Sequence, residues 1–115
     1  MYNLKISSKA QGIIENYIIS YRDTFLALYS DTGLGEAEEI IKSQYIAWAH
    51  TLRNALYESI WIVLKKDTIL WYSLPDTTHL RIVTTRIWSR RLFLEYSEST
   101  NSHERVLENI SIVKL

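Results

Sequence analysis

The sequence predicts a single α+β domain in which an N-terminal strand and a long antiparallel helical hairpin precede a three-stranded antiparallel sheet (β-α-α-β-β-β). Apolar residues recur at steps of three and four in two stretches before residue 66, which is typical of helices with one buried side. After Leu74-Pro75-Asp76 the pattern becomes extended and rich in β-branched and aromatic residues. With 115 residues, three glycines and one proline, the chain suits one core with little linker. We therefore expect residues 1–115 to form one domain.

The first element is predicted to be a strand, because Tyr2, Leu4 and Ile6 alternate with polar residues. Residues 8–11 then read Ser-Lys-Ala-Gln, a pattern in which the serine accepts a hydrogen bond from the third helical N–H. The first helix should begin there, with Ser8 as its cap.

Two rows of mainly apolar residues at helical spacing follow, and we call each row a seam. The first contains Ile14, Ile18, Tyr21, Phe25 and Leu28, and the second contains Ile41, Tyr45, Trp48, Leu52, Ala55 and Ser59. Gly33 and Gly35 can adopt the left-handed conformation that ends a helix and turns the chain. We expect the second helix to reach about Lys66, although the composition of 60–64 also suits a strand.

The second half of the chain predicts three strands, at residues 80–87, 91–96 and 105–113. Residues 88–90 would form a short connector, and the wholly polar stretch 97–103 would form a loop. Both connections suit antiparallel hairpins.

Composition limits the chemistry. There is no cysteine, and the three histidines are far apart in sequence, so we expect no disulfide, no bound metal and no cofactor. The chain carries 13 basic and 13 acidic residues, so it has no global field for nucleic acid or membrane. No stretch resembles a signal peptide or a membrane span, and we expect a cytoplasmic protein that does not associate with membranes.

The basic charge is concentrated in one place, because residues 77–94 contain no acidic residue. The candidate binding residues there are His79, Arg81, Arg86, Trp88, Arg90 and Arg91. Arginine binds phosphate or carboxylate through its planar fork, so this hairpin is a candidate contact for a nucleic-acid backbone or an acidic partner. An alternative interpretation is that these residues only keep exposed strands soluble. Strand alternation places Arg81 on the opposite face from Arg86.

Four tryptophans are many for this length. Trp48 lies on a helical seam and Trp61 in an apolar run, so both are predicted to pack in the core. Trp71 and Trp88 lie near turns and are better placed to be exposed, where they would either anchor a partner or fold over the core edge.

The order of elements resembles the RelE/ParE superfamily of type II toxins. The resemblance lies in residues 4–11 leading into 13–18, and in Arg90-Arg91-Leu92-Phe93-Leu94-Glu95-Tyr96 followed by a polar loop and residues 106–113. The ParE-like branch fits better, because it has a longer helical hairpin. That resemblance implies a non-catalytic toxin that binds and inhibits DNA gyrase, that is held by an antitoxin, and whose contacts are the basic hairpin and the exposed face of the helical pair.

Two alternatives stay open. A RelE-like enzyme would cleave messenger RNA on the ribosome, with arginines and a histidine replacing the Tyr or His that such nucleases supply after the last strand. A non-catalytic inhibitor or binding module, of the kind that phages encode, would use the same hairpin against another host protein. Whether the protein is an enzyme is thus left open, with binding favoured over catalysis.

Overall fold

The computed structural model describes residues 2–30, 37–73 and 80–115, without the helical side chains at 24–26, 28–30 and 37–41. The predicted fold class is confirmed: a strand and two helices precede the strands of the sheet. The elements are β1 (Asn3–Ile6), α1 (Ser8–Ser30), α2 (Ala37–Leu64), β2 (Tyr72–Ser73), β3 (Arg81–Ile87), β4 (Arg90–Ser99) and β5 (Glu104–Lys114). The predicted helix ends at Gly33 and Gly35 lie outside the described residues.

The sheet has five strands in the order β1-β5-β4-β3-β2, rather than three. Strand β1 joins it by pairing in parallel with the start of β5, from Asn3 opposite Glu104 to Ile6 opposite Leu107. The connection between these two parallel strands consists of the helical hairpin and strands β2 to β4, and it is far longer than the dozen residues that parallel pairing requires. The other pairings are antiparallel, and β2 adds only two residues to the edge. The sheet is therefore mixed.

The start of α1 corrects the predicted cap by one residue. The backbone N–H of Ala10 donates to Ser7 Oγ at 3.1 Å, so Ser7 is the N-cap and Ser8 is the first helical residue. Ser7 Oγ also donates to the carbonyl of Glu108. This second bond, to β5, favours Ser7 over Ser8 as the N-cap. Its acceptor, Glu108, lies 101 residues from Ser7 in sequence.

The two helices run antiparallel, as predicted. Arg53 of α2 donates to Glu15 of α1 through Nε and Nη2, both at 2.8 Å. Further along, the hydroxyl of Tyr45 donates to the carbonyl of Ile18 at 3.2 Å. Both helices pack on one face of the sheet, and no helix of the described residues covers the other face. We call that second face the open face.

The core lies between the helices and the covered face of the sheet. Ile14 and Ile18 of the first predicted seam are buried, whereas the side chains of Phe25 and Leu28 are outside the description. On α2 the buried seam departs from the predicted one after Leu52. It continues through Leu56, Ile60 and Leu64 instead of Ala55 and Ser59. Steps of four keep these larger side chains directed at both α1 and the sheet.

The two tryptophans that were predicted to pack in the core differ in how far they are buried. Trp48 is half-buried and packs against the core, edge-on to Tyr21 at 5.5 Å between ring centroids. Trp61 is 47% exposed, so its prediction as a core residue is wrong. The residue lies one position beyond Ile60, and the 100° turn per residue carries it out of the seam. The segment 60–64 is helical, which settles the ambiguity left by its composition.

Strands β4 and β5 are longer than predicted, because pairing continues into the predicted connectors. Arg90 pairs with Ile87, which leaves only Trp88 and Ser89 as the turn between β3 and β4. Strand β4 continues to Ser99, opposite Glu104, so the predicted polar loop is reduced to residues 100–103. Within the described ranges, no helix is both long enough and apolar enough to cross a membrane.

Candidate functional site

The β3–β4 hairpin separates the predicted basic residues between the two faces of the sheet. Arg86 and Arg91 are directly opposite each other in the β3–β4 register, on the open face, and both are exposed. Neither forms an ion pair with a described residue. Val113 follows on β5, beside Arg91. Two unpaired guanidinium groups thus lie side by side near the tip of the hairpin.

Arg90 is at the same end of the hairpin but points to the covered face, where it is only 7% exposed. Its Nε donates to the hydroxyl of Tyr17 at 2.6 Å, and the hydroxyls of Tyr17 and Tyr21 lie 3.1 Å apart. Since Tyr17 accepts from Arg90, its own proton is available for Tyr21. Arg90 therefore ties the hairpin to α1.

The two tyrosines respond oppositely to this network. Burial, together with the bond to Tyr21, raises the pKa of Tyr17 above its ordinary value. The bond with Tyr17 and the positive charges of Arg90 and Lys114 lower the pKa of Tyr21.

Trp88 occupies the first position of the two-residue turn with a φ of 52°. Glycine is normal at such a position, because a side chain there is crowded by the backbone. The indole is 55% exposed and lies 5.8 Å from the Arg90 guanidinium. We call Arg86, Trp88 and Arg91 the hairpin tip; Lys114 is exposed at the same end of the sheet but pairs with Arg90, on the side of the covered face.

Arg81 lies at the opposite end of β3, away from the hairpin tip. Its Nη1 donates to Glu98 Oε2 at 2.9 Å, and its guanidinium stacks over the Trp71 ring at 4.2 Å. Glu98 Oε1 also accepts from Arg105 Nε at 2.6 Å. Burial opposes ionisation of Glu98, but its bonds and charge interactions with Arg105 and Arg81 outweigh burial and hold the pKa of Glu98 below its usual value.

Arg105 is 2% exposed and closes the end of α2. It donates to the carbonyls of Leu64, Lys66 and Asp67, which are acceptors left unpaired at a helix C-terminus. Tyr2 covers the guanidinium, with 3.7 Å between the ring centroid and Cζ. Arg105 was not among the residues predicted to bind a partner, since an arginine in an apolar strand gives no signal of what it binds.

Neither histidine that the structure describes lies at the hairpin tip. His103 is at the β4–β5 turn, at the other end of β4, where it stacks on Tyr2 with 4.0 Å between ring centroids. His50 lies on α2 beside Asn54. His79 falls outside the described residues. No group of three or more potential metal ligands occurs in the described part of the chain.

A second exposed region lies on the last turns of α2. Trp61 and Ile62 are both about half exposed, and an open groove of about 650 Å³ runs along them. Its other described lining residues are Tyr57, Glu58, Lys65 and Lys66. The Lys65 ammonium lies 3.8 Å above the Trp61 ring. We call this region the α2 groove.

Comparison with protein-family models, with curated proteins and with solved structures finds no match for this chain. The class of protein is therefore defined by architecture: an α+β domain whose five-stranded mixed sheet has one helix-covered face.

Proposed function

We propose that this protein is a ParE-like toxin of a type II toxin–antitoxin system, which inhibits DNA gyrase by binding rather than by catalysis. The observation that carries the proposal is the hairpin tip, a basic and aromatic surface with unpaired charges, on a domain whose order of elements resembles that superfamily. Three features of the described residues favour a binding surface.

First, Arg86 and Arg91 are placed unfavourably for the isolated protein. Like charges directly opposite each other in a sheet are destabilising, and no described carboxylate compensates them. An acidic partner surface would supply the missing counter-charge. Because the whole chain has balanced charge and a pI of about 6.8, such a local cluster suits a protein surface better than a nucleic-acid backbone.

Second, Trp88 is held in a backbone conformation that costs about 1 to 2 kcal/mol for a residue other than glycine. Strain of this kind is often retained at sites of function. A half-exposed tryptophan flanked by arginines has the composition of a binding hot spot.

Third, the α2 groove gives a separate apolar surface. Its aromatic and aliphatic lining, with lysines at one end, suits an amphipathic helix that carries acidic residues. We assign it to the antitoxin, so that one surface contacts the target and another contacts the inhibitor.

The RelE-like nuclease is the less favoured alternative. It would need an acid–base group beside Arg86 and Arg91, and His103 is at the other end of β4. The function would fall to His79, which the structure does not describe, because Tyr21 lies with Arg90 on the covered face, away from Arg86 and Arg91. A non-toxic binding module using the same hairpin tip is the remaining alternative.

The test is controlled expression of the chain in a bacterium, with growth, DNA breakage and messenger RNA integrity followed in the same culture. Growth arrest with broken DNA and intact messages supports the proposal. Arrest with cleaved messages favours the nuclease, and normal growth at a stable protein level contradicts a toxin and favours the binding module.

Matched variants locate the surface. Replacing Arg86 and Arg91 together by Gln should relieve the arrest. Replacing Lys9 and Arg22 by Gln removes two exposed charges from α1 and serves as the control. Equal relief by both pairs would contradict a specific role for the hairpin tip.

A further inference from the structure

A polar cavity of about 160 Å³ opens beside the end of α2, far from the hairpin tip. It is bounded by the segment that follows α2 and by β3, β4 and β5. The lining includes the polar and aromatic residues Asp67, Trp71, Arg81, Tyr96, Glu98 and Arg105. Its volume is far above the roughly 10 to 15 Å³ that a single water requires, so there is room for a small molecule.

The hydroxyl of Tyr96 lines this cavity without a hydrogen-bond partner among the described residues, although the side chain is fully buried. Burial raises the pKa of Tyr96, and the charges of Arg105 and Arg81, together with the closeness of the Arg81 N–H groups to the hydroxyl, offset this only in part. Arg81 can only donate, so it leaves the proton of the hydroxyl without an acceptor. The hydroxyl therefore keeps its proton and can donate it. A buried hydroxyl without a partner is unfavourable, so the cavity calls for an acceptor at this point.

The buried polar groups that line the cavity beside Tyr96 either already have hydrogen-bond partners or can only donate. Both oxygens of Glu98 accept from arginines, and Arg105 is committed to Glu98 and to the end of α2. Arg81 gives one N–H to Glu98, which leaves further N–H groups of its guanidinium for another acceptor. The two guanidinium groups face the Glu98 carboxylate, and Asp67, exposed at the rim of the cavity, brings a second negative charge. The lining therefore attracts an acceptor through the remaining N–H groups of Arg81 and the Tyr96 hydroxyl rather than through a net charge.

We propose that this cavity binds a small oxyanion, a carboxylate or a phosphate group, which accepts hydrogen bonds from the Tyr96 hydroxyl and the Arg81 guanidinium. The Arg81 guanidinium also lies over the Trp71 ring, a cation–π contact that favours its present position. The site is independent of the hairpin tip, so it does not depend on the proposed target.

The experiment is a titration of the 115-residue chain with inorganic phosphate and, separately, with acetate, at constant ionic strength, followed by amide chemical shifts. Saturable shifts around β4 and the end of α2 are expected, and the ligand that saturates at lower concentration identifies the oxyanion. Tyr96→Phe should weaken binding about tenfold, because it removes one bond to a charged group. Since that hydroxyl makes no hydrogen bond of good geometry to a described residue, the variant should fold about as stably as the wild type.

Arg86→Gln combined with Arg91→Gln is the control for phosphate bound at the hairpin tip. Phosphate affinity should be unchanged in this variant. The proposal is overturned if neither anion gives a saturable shift, if Tyr96→Phe binds like the wild type, or if only the Arg86 and Arg91 substitutions abolish binding.

Discussion

Arg90 Nε donates a 2.6 Å hydrogen bond to the hydroxyl of Tyr17, which fixes the base of the β3–β4 hairpin to the first helix. Its neighbour Arg91 points to the opposite face and is exposed. Adjacent arginines in one strand therefore have different roles, one in packing and one available to a partner.

Arg90→Gln should lower the free energy of unfolding by about 1.5 to 3 kcal/mol, because a buried hydrogen bond to a charged group is lost. Arg91→Gln should change it by no more than about 0.5 kcal/mol. Urea denaturation of the two variants measures the difference. Equal losses would contradict the assignment of Arg90 to the packed face.

Trp88→Gly should raise the free energy of unfolding by about 1 kcal/mol, because glycine adopts a positive φ without strain. If Trp88 contacts the target, the same variant should fail to arrest growth. A more stable protein that has lost activity separates a binding role from a structural one. Full activity would exclude Trp88 from the contact surface.

Lowering the pH should reduce the free energy of unfolding through protonation of Glu98. Its folded pKa lies below the value of about 4.3 for an unfolded glutamate, so its contribution is complete above that value and is lost as the pH falls through the folded pKa. The stability difference between wild type and Glu98→Gln should therefore shrink as the solution is acidified below about pH 4. Chemical denaturation at a series of pH values tests this, and a constant difference would contradict it.

Leu56→Ala should cost about 2 to 5 kcal/mol, because Leu56 is fully buried in the core. Trp61→Ala should cost less than about 1 kcal/mol, although it removes a larger side chain, since Trp61 is half exposed. Thermal unfolding of both variants shows whether the buried side of α2 contains Leu56 and Ile60 or contains Trp61.

Ser7→Ala should destabilise α1 by about 1 kcal/mol through loss of its cap. Ser8→Ala is the matched control and should have an effect within about 0.5 kcal/mol. A larger loss of stability in Ser8→Ala than in Ser7→Ala would show that Ser8 is the cap, as the sequence pattern predicted.

Much of the fold follows from periodicity. The alternation at Tyr2, Leu4 and Ile6 and the spacing of Ile14 and Ile18 depend on local geometry, so they predict element type and buried side. Periodicity could not decide between Ile60 and Trp61, because both are apolar and only packing against α1 and the sheet selects one. It also could not reveal that β1 pairs with β5, since that register joins residues about 100 positions apart.

For the candidate site, the sequence by itself determined that residues 77–94 carry arginines without acidic residues, and that Arg81 and Arg86 lie on opposite faces, because charge composition and strand alternation are local properties. Only the tertiary structure decided which arginines have partners. Arg90 meets Tyr17, 73 residues away, and Arg81 meets Glu98 and Trp71, whereas Arg86 and Arg91 meet no carboxylate within the described chain. The physical reason is that a charge is neutralised or left unpaired by what folding brings within hydrogen-bond distance, and chain order alone does not specify those neighbours.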